Sequence, residues 1–353
     1  MPLIELGLFD IQQIDPLGEA DPATWFQARL DDLAYADSVG IDIAFVAERH
    51  YLGTYRSQSA SVWLGAASQR TRQMRLGALA WTLPITPPLR LAEEIANLDQ
   101  ISGGRIEIGL GLGHRVEELE ANGVDPARRI DIFQERLAVL EGLLSGGEVT
   151  YEGHGVTMQA ARISPLPIQQ PYPPMWFAGT DPTSAMWCGQ HGMNLAIGFL
   201  PDDALFGATA AFRHGLAIRR TRIAEDDSVR RGAVALMRHL YIAETDDEAT
   251  ADMIDDLMCL GELEQTATEA NRPDRLAQAT ERQAGLLEKN VFVAGGPERV
   301  AGAILNARNT LGAGLFLGNV YGAGISQERV RRTIRLLCTD VRDRLDASLT
   351  KIG

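Results

Sequence analysis

Three glycines at alternate positions follow a run of apolar residues in the segment GRIEIGLGLGH, residues 104–114. A dinucleotide-binding loop has the pattern G-x-G-x-x-G, and its last glycine lets a helix pack closely on a strand. Counted from Gly109, that last position is His114, so the segment does not match. Bare backbone at the three alternate glycines suits either a flat or anionic ligand against the strand, bordered by Gly113 and His114, or a crowded barrel interior. The sequence leaves both interpretations open.

Titratable side chains follow two other apolar runs. In AERHY (47–51), Glu48 and His50 point to one face of an extended chain and Arg49 to the other. An imidazole can transfer protons near neutral pH, whereas a guanidinium only donates hydrogen bonds and therefore suits an anionic group. His239 lies in a later apolar run. The alternatives are a rim ion pair with a hydrogen-bonded histidine in AERHY, and a buried structural role for His239.

The segment AGTDPTSA (178–185) has the composition of a helix start. Thr180 or Asp181 is suited to cap the helix, and Pro182 suits its first turn. Free N–H groups at a helix start bind phosphate, and the hydroxyls of Thr180 and Thr183 could add donors. The Asp181 carboxylate would repel a phosphate unless it caps the helix. An ordinary capped helix is the alternative.

Charge and composition exclude several partners and sites. The 353 residues carry a net charge of −14, which argues against nucleic acid and against an anionic membrane surface. No uninterrupted apolar stretch reaches 18 residues, and the N-terminal segment lacks the basic region of a signal peptide. The three cysteines are widely spaced, which favours a reducing, cytoplasmic location. No cluster with metal-ligand spacing is present, so no metal site is expected.

Short apolar runs alternate with helical patterns along the whole chain, which predicts a parallel sheet flanked by helices. Eight such units predict a (β/α)8 TIM barrel, formed by one domain over residues 1–353. Insertions are expected at about 145–172 and 261–290, the latter with room for a lid before strand eight. The predicted strands are 3–9, 41–48, 74–83, 105–113, 173–179, 194–200, 231–245 and 312–318.

Two helices have clear signals in the sequence. Asp21 and Gly40 suit the start and end of a helix over 22–39. A second helix follows the prolines of PITPP, and its apolar residues recur at helical spacing. These apolar residues are Leu91, Ile95, Leu98 and Ile101. In a barrel of this type the chemistry lies at the carboxyl ends of the strands, so the candidate side chains above are expected to meet there.

An ordered set of segments then resembles a known family, the luciferase-like flavin-dependent monooxygenases. Residues 76–113 carry the most specific part of the resemblance, which extends over nearly the whole chain. The segments, in order, are AERHY (47–51), LGALAWTLPITPPLRLAEEIANLDQISGGRIEIGLGLG (76–113), PPMWFAGTDPTSA (173–185), YIAETDDEA (241–249) and VFVAGGPERVA (291–301).

The resemblance implies a barrel that binds reduced FMN without a covalent link. It implies a cis peptide bond at Leu79–Ala80 that supports the flavin ring. It also implies a phosphate site near the ends of strands four and five. The residues that correspond to this phosphate site are Gly113, His114, Gly179, Thr180 and Thr183.

The activity implied by the resemblance is oxidation of a small organic substrate by O2 through a flavin C4a-peroxide. A separate reductase supplies reduced FMN in that family, and a homodimer is expected. His239 corresponds to a pocket histidine and is the candidate for proton transfer. Arg49 replaces the first of two family histidines, and only the second, His50, is retained; both are counted with the catalytic candidates. Leu112 replaces an arginine of the family.

Two alternatives remain at this point. A related enzyme of the same superfamily uses the deazaflavin F420 for hydride transfer without oxygen. A barrel that binds flavin without catalysis is also compatible with the replacement of a histidine by Arg49.

Overall fold

The computed structural model describes residues 4–13, 21–51, 55–221, 232–255, 281, 283–322 and 325–350. Eight parallel strands close into a barrel, and helices cover its outside, which confirms the predicted (β/α)8 fold. The strands are β1 (Glu5–Asp10), β2 (Ile43–Val46), β3 (Arg75–Ala78), β4 (Trp81–Thr82), β5 (Ile106–Gly111), β6 (Val149–Glu152), β7 (Thr157–Ala161), β8 (Met175–Ala178), β9 (Asn194–Gly198), β10 (Val234–Ile242), β11 (Phe292–Gly295) and β12 (Leu315–Asn319).

The helices alternate with the barrel strands along the chain. They are α1 (Pro22–Val39), α2 (Ala60–Arg70), α3 (Pro88–Ser102), α4 (Val116–Ala121), α5 (Arg129–Leu144), α6 (Pro182–His191), α7 (Asp202–Arg220), α8 (Asp246–Asp255), α9 (Pro297–Leu311), α10 (Gln327–Leu336) and α11 (Arg342–Thr350). A π-helical turn over Leu337–Val341 joins the last two. No helix within the described ranges is long and apolar enough to cross a membrane.

Barrel closure follows from the strand register. β1 pairs with β2 on one side and with β12 on the other, through Leu8 with Ala44 and Leu8 with Gly318. β10 pairs with both β9 and β12 and completes the ring. All of these pairings are parallel, so the carboxyl ends of the eight strands lie at one end of the barrel.

Side chains that alternate in direction along the strands pack into two separate hydrophobic cores. On β2, Ala44 and Val46 face the surrounding helices, whereas Phe45 faces the barrel interior. Trp176 and Phe9 fill the same interior. The barrel centre is therefore a packed core, and an open space can exist only at its ends.

An ion-pair network closes the interior on the side where the strands begin. Arg75 binds both Glu107 and Glu5, and the indole N–H of Trp176 donates to Glu107. Burial raises the pKa of the Glu107 carboxyl, against the lowering effect of Arg75 and of the hydrogen bond from Trp176. The network links the starts of β1 and β3 with β5 and β8.

The structure departs from the predicted elements in several places. The third strand is interrupted after Ala78 and resumes as β4, and β11 was not predicted. β11 extends the sheet beside the second half of β10 and does not close the ring. The insertion at 145–172 holds the antiparallel hairpin of β6 and β7. The predicted lid at 261–290 lies outside the described residues, apart from 281 and 283–290, of which 283–288 are helical.

Helix boundaries agree closely with their sequence signals. Asp21 caps α1 by accepting from the N–H groups of Ala23 and Thr24, and Gly40 ends the helix with a left-handed φ of 98°. Of the apolar residues at helical spacing on α3, Leu91, Ile95 and Leu98 are buried, but Ile101 is 55% exposed. In the last turn the buried position is Ser102, so Ile101 lies beside the buried face of the helix.

Candidate active site

A cavity of about 600 Å³ lies at the carboxyl ends of the barrel strands. Residues from the ends of β1, β2, β5, β8, β10 and β12 line it, together with residues that follow them. Its volume is in the range of small-molecule and cofactor sites. Seven of the candidate residues line this cavity: Arg49, Leu79, Ala80, Gly113, His114, Gly179 and His239.

Glycine occurs at the three alternate positions for different structural reasons. A Cβ built on Gly109 would lie 2.0 Å from the carbonyl oxygen of Ala78, so Gly109 allows β3 and β5 to approach closely. A Cβ on Gly111 would meet only the Cβ of Ala80, at 3.3 Å, and Gly111 lines the cavity. Gly113 also lines the cavity, with a left-handed φ of 72°. The two interpretations left open by the sequence therefore apply to different glycines.

Replacing Gly109 with alanine is expected to destabilise the barrel by about 1–3 kcal/mol, because the added carbon overlaps main-chain atoms that cannot move independently. Urea denaturation measures this free energy. Gly302→Ala is the matched control, since a Cβ there has no neighbour within 4 Å and alanine favours helix α9. Equal stability of the two variants would show that β5 can shift away from β3.

The interruption of the third strand forms part of the cavity wall. Leu79–Ala80 is a cis peptide bond between two residues that are not proline, which confirms the prediction of its position. Leu79 and Ala80 both line the cavity, and Leu79 is otherwise buried in the barrel interior. This wall faces the bare backbone of Gly111 on the neighbouring strand.

Arg49 and His114 meet at the cavity wall, although 65 positions separate them. The Arg49 Nη1 atom lies 3.1 Å from Nδ1 of His114. A guanidinium can only donate, so the histidine nitrogen that faces it is an acceptor. The pair places a fixed positive charge beside a neutral ring, which suits binding of an anion and not removal of a proton by Arg49.

His50 does not line the cavity. Its Nε2 atom lies 3.2 Å from Oε1 of Glu48, while the other carboxylate oxygen of Glu48 accepts from the N–H of Ala60 at 2.9 Å. The hydrogen bond to Glu48 raises the pKa of His50. The structure thus places His50 in the ion pair that was the structural alternative for this segment.

Replacing Glu48 with glutamine is expected to lower the pKa of His50 toward about 6.5, its ordinary value, because the protonated ring loses its anionic partner. The amide oxygen can still accept from Ala60, so α2 keeps its first hydrogen bond. In the unmodified protein, the stabilisation from the pair is complete below about pH 6.5 and is lost as pH rises through the raised pKa. NMR titration of His50 tests this, with exposed Glu152→Gln as control. An unchanged titration curve would contradict it.

His239 lines the cavity from β10, and its ring is held by neighbours. The amide Nδ2 of Asn319 lies 3.1 Å from Nδ1 of His239, and the ring of Phe199 lies 4.9 Å from the imidazole centroid. Since an amide nitrogen donates, Nδ1 accepts, and the neutral ring carries its proton on Nε2. A histidine fixed in this way can donate its proton at one defined atom, Nε2.

The start of helix α6 only partly matches its predicted role as a capped helix start that binds phosphate. Asp181 caps the helix by accepting from the N–H of Ser184 at 2.8 Å, as its position suggested. Gly179 and Asp181 line the cavity, but Thr180 and Thr183 do not. The hydroxyls of these two threonines are therefore not brought to the cavity wall.

Two arginines on the cavity wall were not identified from the sequence. Arg129 begins helix α5, and Arg29 comes from helix α1. The Arg129 side chain forms no hydrogen bond or ion pair with the described residues, although its main-chain N–H donates to Pro126. The Arg29 guanidinium stacks on Tyr321, 3.5 Å from the ring centroid. Neither lies in a strand or in the loop directly after one, so the barrel pattern gave no signal for them.

Polar side chains next to the ends of β1 and β12 were also missed. Gln12, Asn319 and Tyr321 line the cavity and are buried. The signal available was their position directly after apolar strands, which is where barrel enzymes carry functional residues. Across the described ranges, no group of three His, Cys, Asp or Glu side chains is close enough to hold a metal ion.

Comparison with known proteins adds to this geometry. The model of a family described as luciferase-like monooxygenase matches residues 5–314. The protein y4wF of Sinorhizobium fredii is 36% identical over 211 residues, and the match spans 60% of each chain. The 4-hydroxyprotoasukamycin monooxygenase of Streptomyces nodosus subsp. asukaensis is 26% identical, over 99% of this chain and 94% of its own.

Solved structures share the fold over almost the full length. The oxygenating constituent of 3,6-diketocamphane monooxygenase from Pseudomonas putida, in complex with FMN, has a TM-score of 0.78 at 19% identity. The coenzyme F420 dependent tetrahydromethanopterin reductase of Methanopyrus kandleri has a TM-score of 0.70 at 20% identity. Each match covers 97% of this chain and 99% of the other. At these identities the similarity establishes the barrel architecture.

Proposed function

The chain belongs to the luciferase-like monooxygenase family, and from this premise we propose that it is a flavin-dependent monooxygenase that oxidises a small organic substrate with O2. The observation that carries the proposal is one cavity that combines bare glycine backbone with an arginine whose side chain pairs with none of the described residues. Gly111 opens one wall, and Arg129 offers its charge to the same space. A flat ring with an anionic tail fits both features.

The residues of the cavity fit FMN. Gly111 and the Leu79–Ala80 wall would hold the flat ring, because a side chain at position 111 would project into the space beside Ala80. Arg129 would pair with the phosphate, together with main-chain groups at Gly113 and Gly179. Leu112 replaces an arginine of the family, and Arg129 would supply the positive charge that is missing there. Reduced FMN, when bound, supplies the two electrons with which one oxygen atom of O2 enters the substrate and the other becomes water.

The chain itself positions groups and excludes water. His239 would hold its proton at Nε2 and donate it in a hydrogen bond to the reacting substrate. Arg49 would fix an anionic oxygen, with its orientation set by His114. Phe9 and Phe199, whose ring centroids lie 5.8 Å apart, give the wall near His239 an apolar surface that excludes water.

Replacing Arg129 with alanine is expected to weaken FMN binding about 10- to 100-fold, because a charge-assisted hydrogen bond to phosphate contributes about 1.5–3 kcal/mol. Arg128→Ala is the matched control, since Arg128 lies on the adjacent turn beside Asp131 and does not line the cavity. Riboflavin, which lacks the phosphate, should bind both variants equally well. A loss of riboflavin affinity in Arg129→Ala would indicate damage to the ring site instead.

The cofactor and the reaction class can be tested separately. The protein is titrated with FMN and with F420, followed by absorbance, and oxygen consumption is then measured with FMN reduced by an added flavin reductase. We propose that a separate reductase supplies the reduced flavin. The Pseudomonas putida protein is named as the oxygenating constituent of its monooxygenase, which fits an enzyme with more than one component. Tight binding of F420 without FMN binding would overturn the proposal in favour of hydride transfer. FMN binding with no turnover of any substrate would favour a non-catalytic barrel.

A further inference from the structure

One part of the cavity wall carries buried oxygen atoms without hydrogen-bond partners. Among the described residues, Oε1 of Gln12, Oδ1 of Asn319 and Oη of Tyr321 are buried without a hydrogen-bond partner, and so is Nε2 of Gln12. Their side chains are 1%, 4% and 6% exposed, and all three line the cavity. A buried polar atom left without a partner costs about 1–3 kcal/mol, so these atoms are expected to bind water or a ligand group.

The three oxygens belong to neighbouring strand ends. Asn319 ends β12 and Tyr321 follows it, while Gln12 follows β1, which pairs with β12. Asn319 is in register with His239 on β10 and also donates to its ring. A ligand group bound by these oxygens would therefore lie next to His239.

Each of these side chains is fixed by the groups around it. Gln12 has a left-handed φ of 54°, and its main-chain N–H and carbonyl bond to Asp10 and Arg56, each at 2.9 Å. The ring of Tyr321 is covered by Arg29. Because little side-chain freedom remains to be lost on binding, the oxygens act as a preformed site.

The chemistry of the three groups selects a hydrogen-bond donor. The two amide oxygens only accept, and the phenol hydroxyl accepts as well as donates. The unpartnered Nε2 of Gln12 is a donor, which a ligand hydroxyl also satisfies because a hydroxyl both donates and accepts. Apolar side chains line the cavity nearby, among them Phe9, Phe199 and Met237. We propose that Gln12, Asn319 and Tyr321 form a specificity site for the hydroxyl or N–H group of an otherwise apolar ring substrate. This inference rests on the proposed function, since it names the substrate class of the same cavity.

The test uses three probes with one carbon skeleton: 2-naphthol donates a hydrogen bond, 2-methoxynaphthalene only accepts, and naphthalene does neither. Their affinities are measured by fluorescence titration, with and without saturating FMN. We expect 2-naphthol to bind about 10-fold or more tightly than 2-methoxynaphthalene, because each lost hydrogen bond to a preformed acceptor costs about 1.4 kcal/mol or more. Tyr321→Phe and Gln12→Met should each reduce this preference several-fold. Tyr35→Phe, a tyrosine outside the cavity lining, should leave the preference unchanged.

Equal affinity for the three probes, or a preference that both cavity variants retain, would overturn the inference. Because two variants are tested, misfolding of one leaves the other decisive. The titrations with saturating FMN distinguish failure of this inference from failure of the proposed function. If FMN binds and the preference is absent, only the specificity site is wrong. If FMN does not bind, the preference in the flavin-free protein still tests the three oxygens.

Discussion

Replacing Gly111 with leucine is expected to weaken FMN binding by at least about 100-fold while the barrel remains folded. Only the Cβ of Ala80 lies within 4 Å of a Cβ built at position 111, so the new side chain would extend into the cavity and not into the packed wall. Overfilling a preformed space costs about 1–3 kcal/mol or more, and 2.7 kcal/mol corresponds to about 100-fold in affinity. Calorimetric titration with FMN measures the change.

The same substitution at Gly302 is the control for Gly111→Leu. Gly302 lies in helix α9, where a Cβ has no neighbour within 4 Å, and it does not line the cavity. FMN affinity should be unchanged in Gly302→Leu, and circular dichroism should show folded protein for both variants. Unchanged FMN affinity in Gly111→Leu would mean that the ring does not lie on strand β5.

Removal of the Arg75 side chain is expected to destabilise the fold by about 3–5 kcal/mol, because the buried carboxylate of Glu107 then loses its cationic partner. Only the indole of Trp176 would still donate to that carboxylate among the contacts named above. The measurement is the free energy of unfolding of Arg75→Ala from urea denaturation. A loss below about 1 kcal/mol, as for an exposed ion pair, would contradict the role given to this network.

The loss of unfolding free energy in Arg75→Ala should also depend on pH. Burial raises the pKa of Glu107 in the folded protein, and without Arg75 that pKa should rise further. A carboxyl whose pKa is raised in the folded state does not destabilise the protein at low pH. The protein loses stability as pH rises through that raised pKa. The variant is therefore expected to recover stability relative to the unmodified protein as pH falls. Adding Glu107→Gln to Arg75→Ala should recover most of the loss at neutral pH, and failure to recover would indicate lost packing of the arginine stem.

The fold was predictable because each barrel unit repeats a local pattern. Apolar runs of strand length alternate with helical spacing, and end signals such as Asp21 and Gly40 act within a few residues. β11 was missed because four buried residues followed by Gly-Gly-Pro look like a loop when the partner strand, β10, is about 50 positions away. Pairing between distant segments is not a local property of the sequence.

The candidate site was predictable in part for a similar reason. Positions at strand ends, such as Gly113 and His239, follow from the barrel pattern and do line the cavity. Arg129 was missed because it lies on a helix, and only the path of the chain brings it to the wall. His50 was placed with the catalytic candidates because it corresponds to the second of two family histidines after strand two, but it pairs with Glu48 and does not line the cavity. The direction of a side chain depends on its partners, which the spacing of residues does not specify.

The most direct test is calorimetric titration of the purified protein with reduced FMN under anaerobic conditions, run in parallel on Gly111→Leu. If the flavin ring lies against bare backbone at the carboxyl end of the barrel, the unmodified protein binds one FMN per chain and the variant binds at least about 100-fold more weakly. Absence of reduced FMN binding by the unmodified protein, or equal binding by both proteins, would contradict this assignment of the cavity.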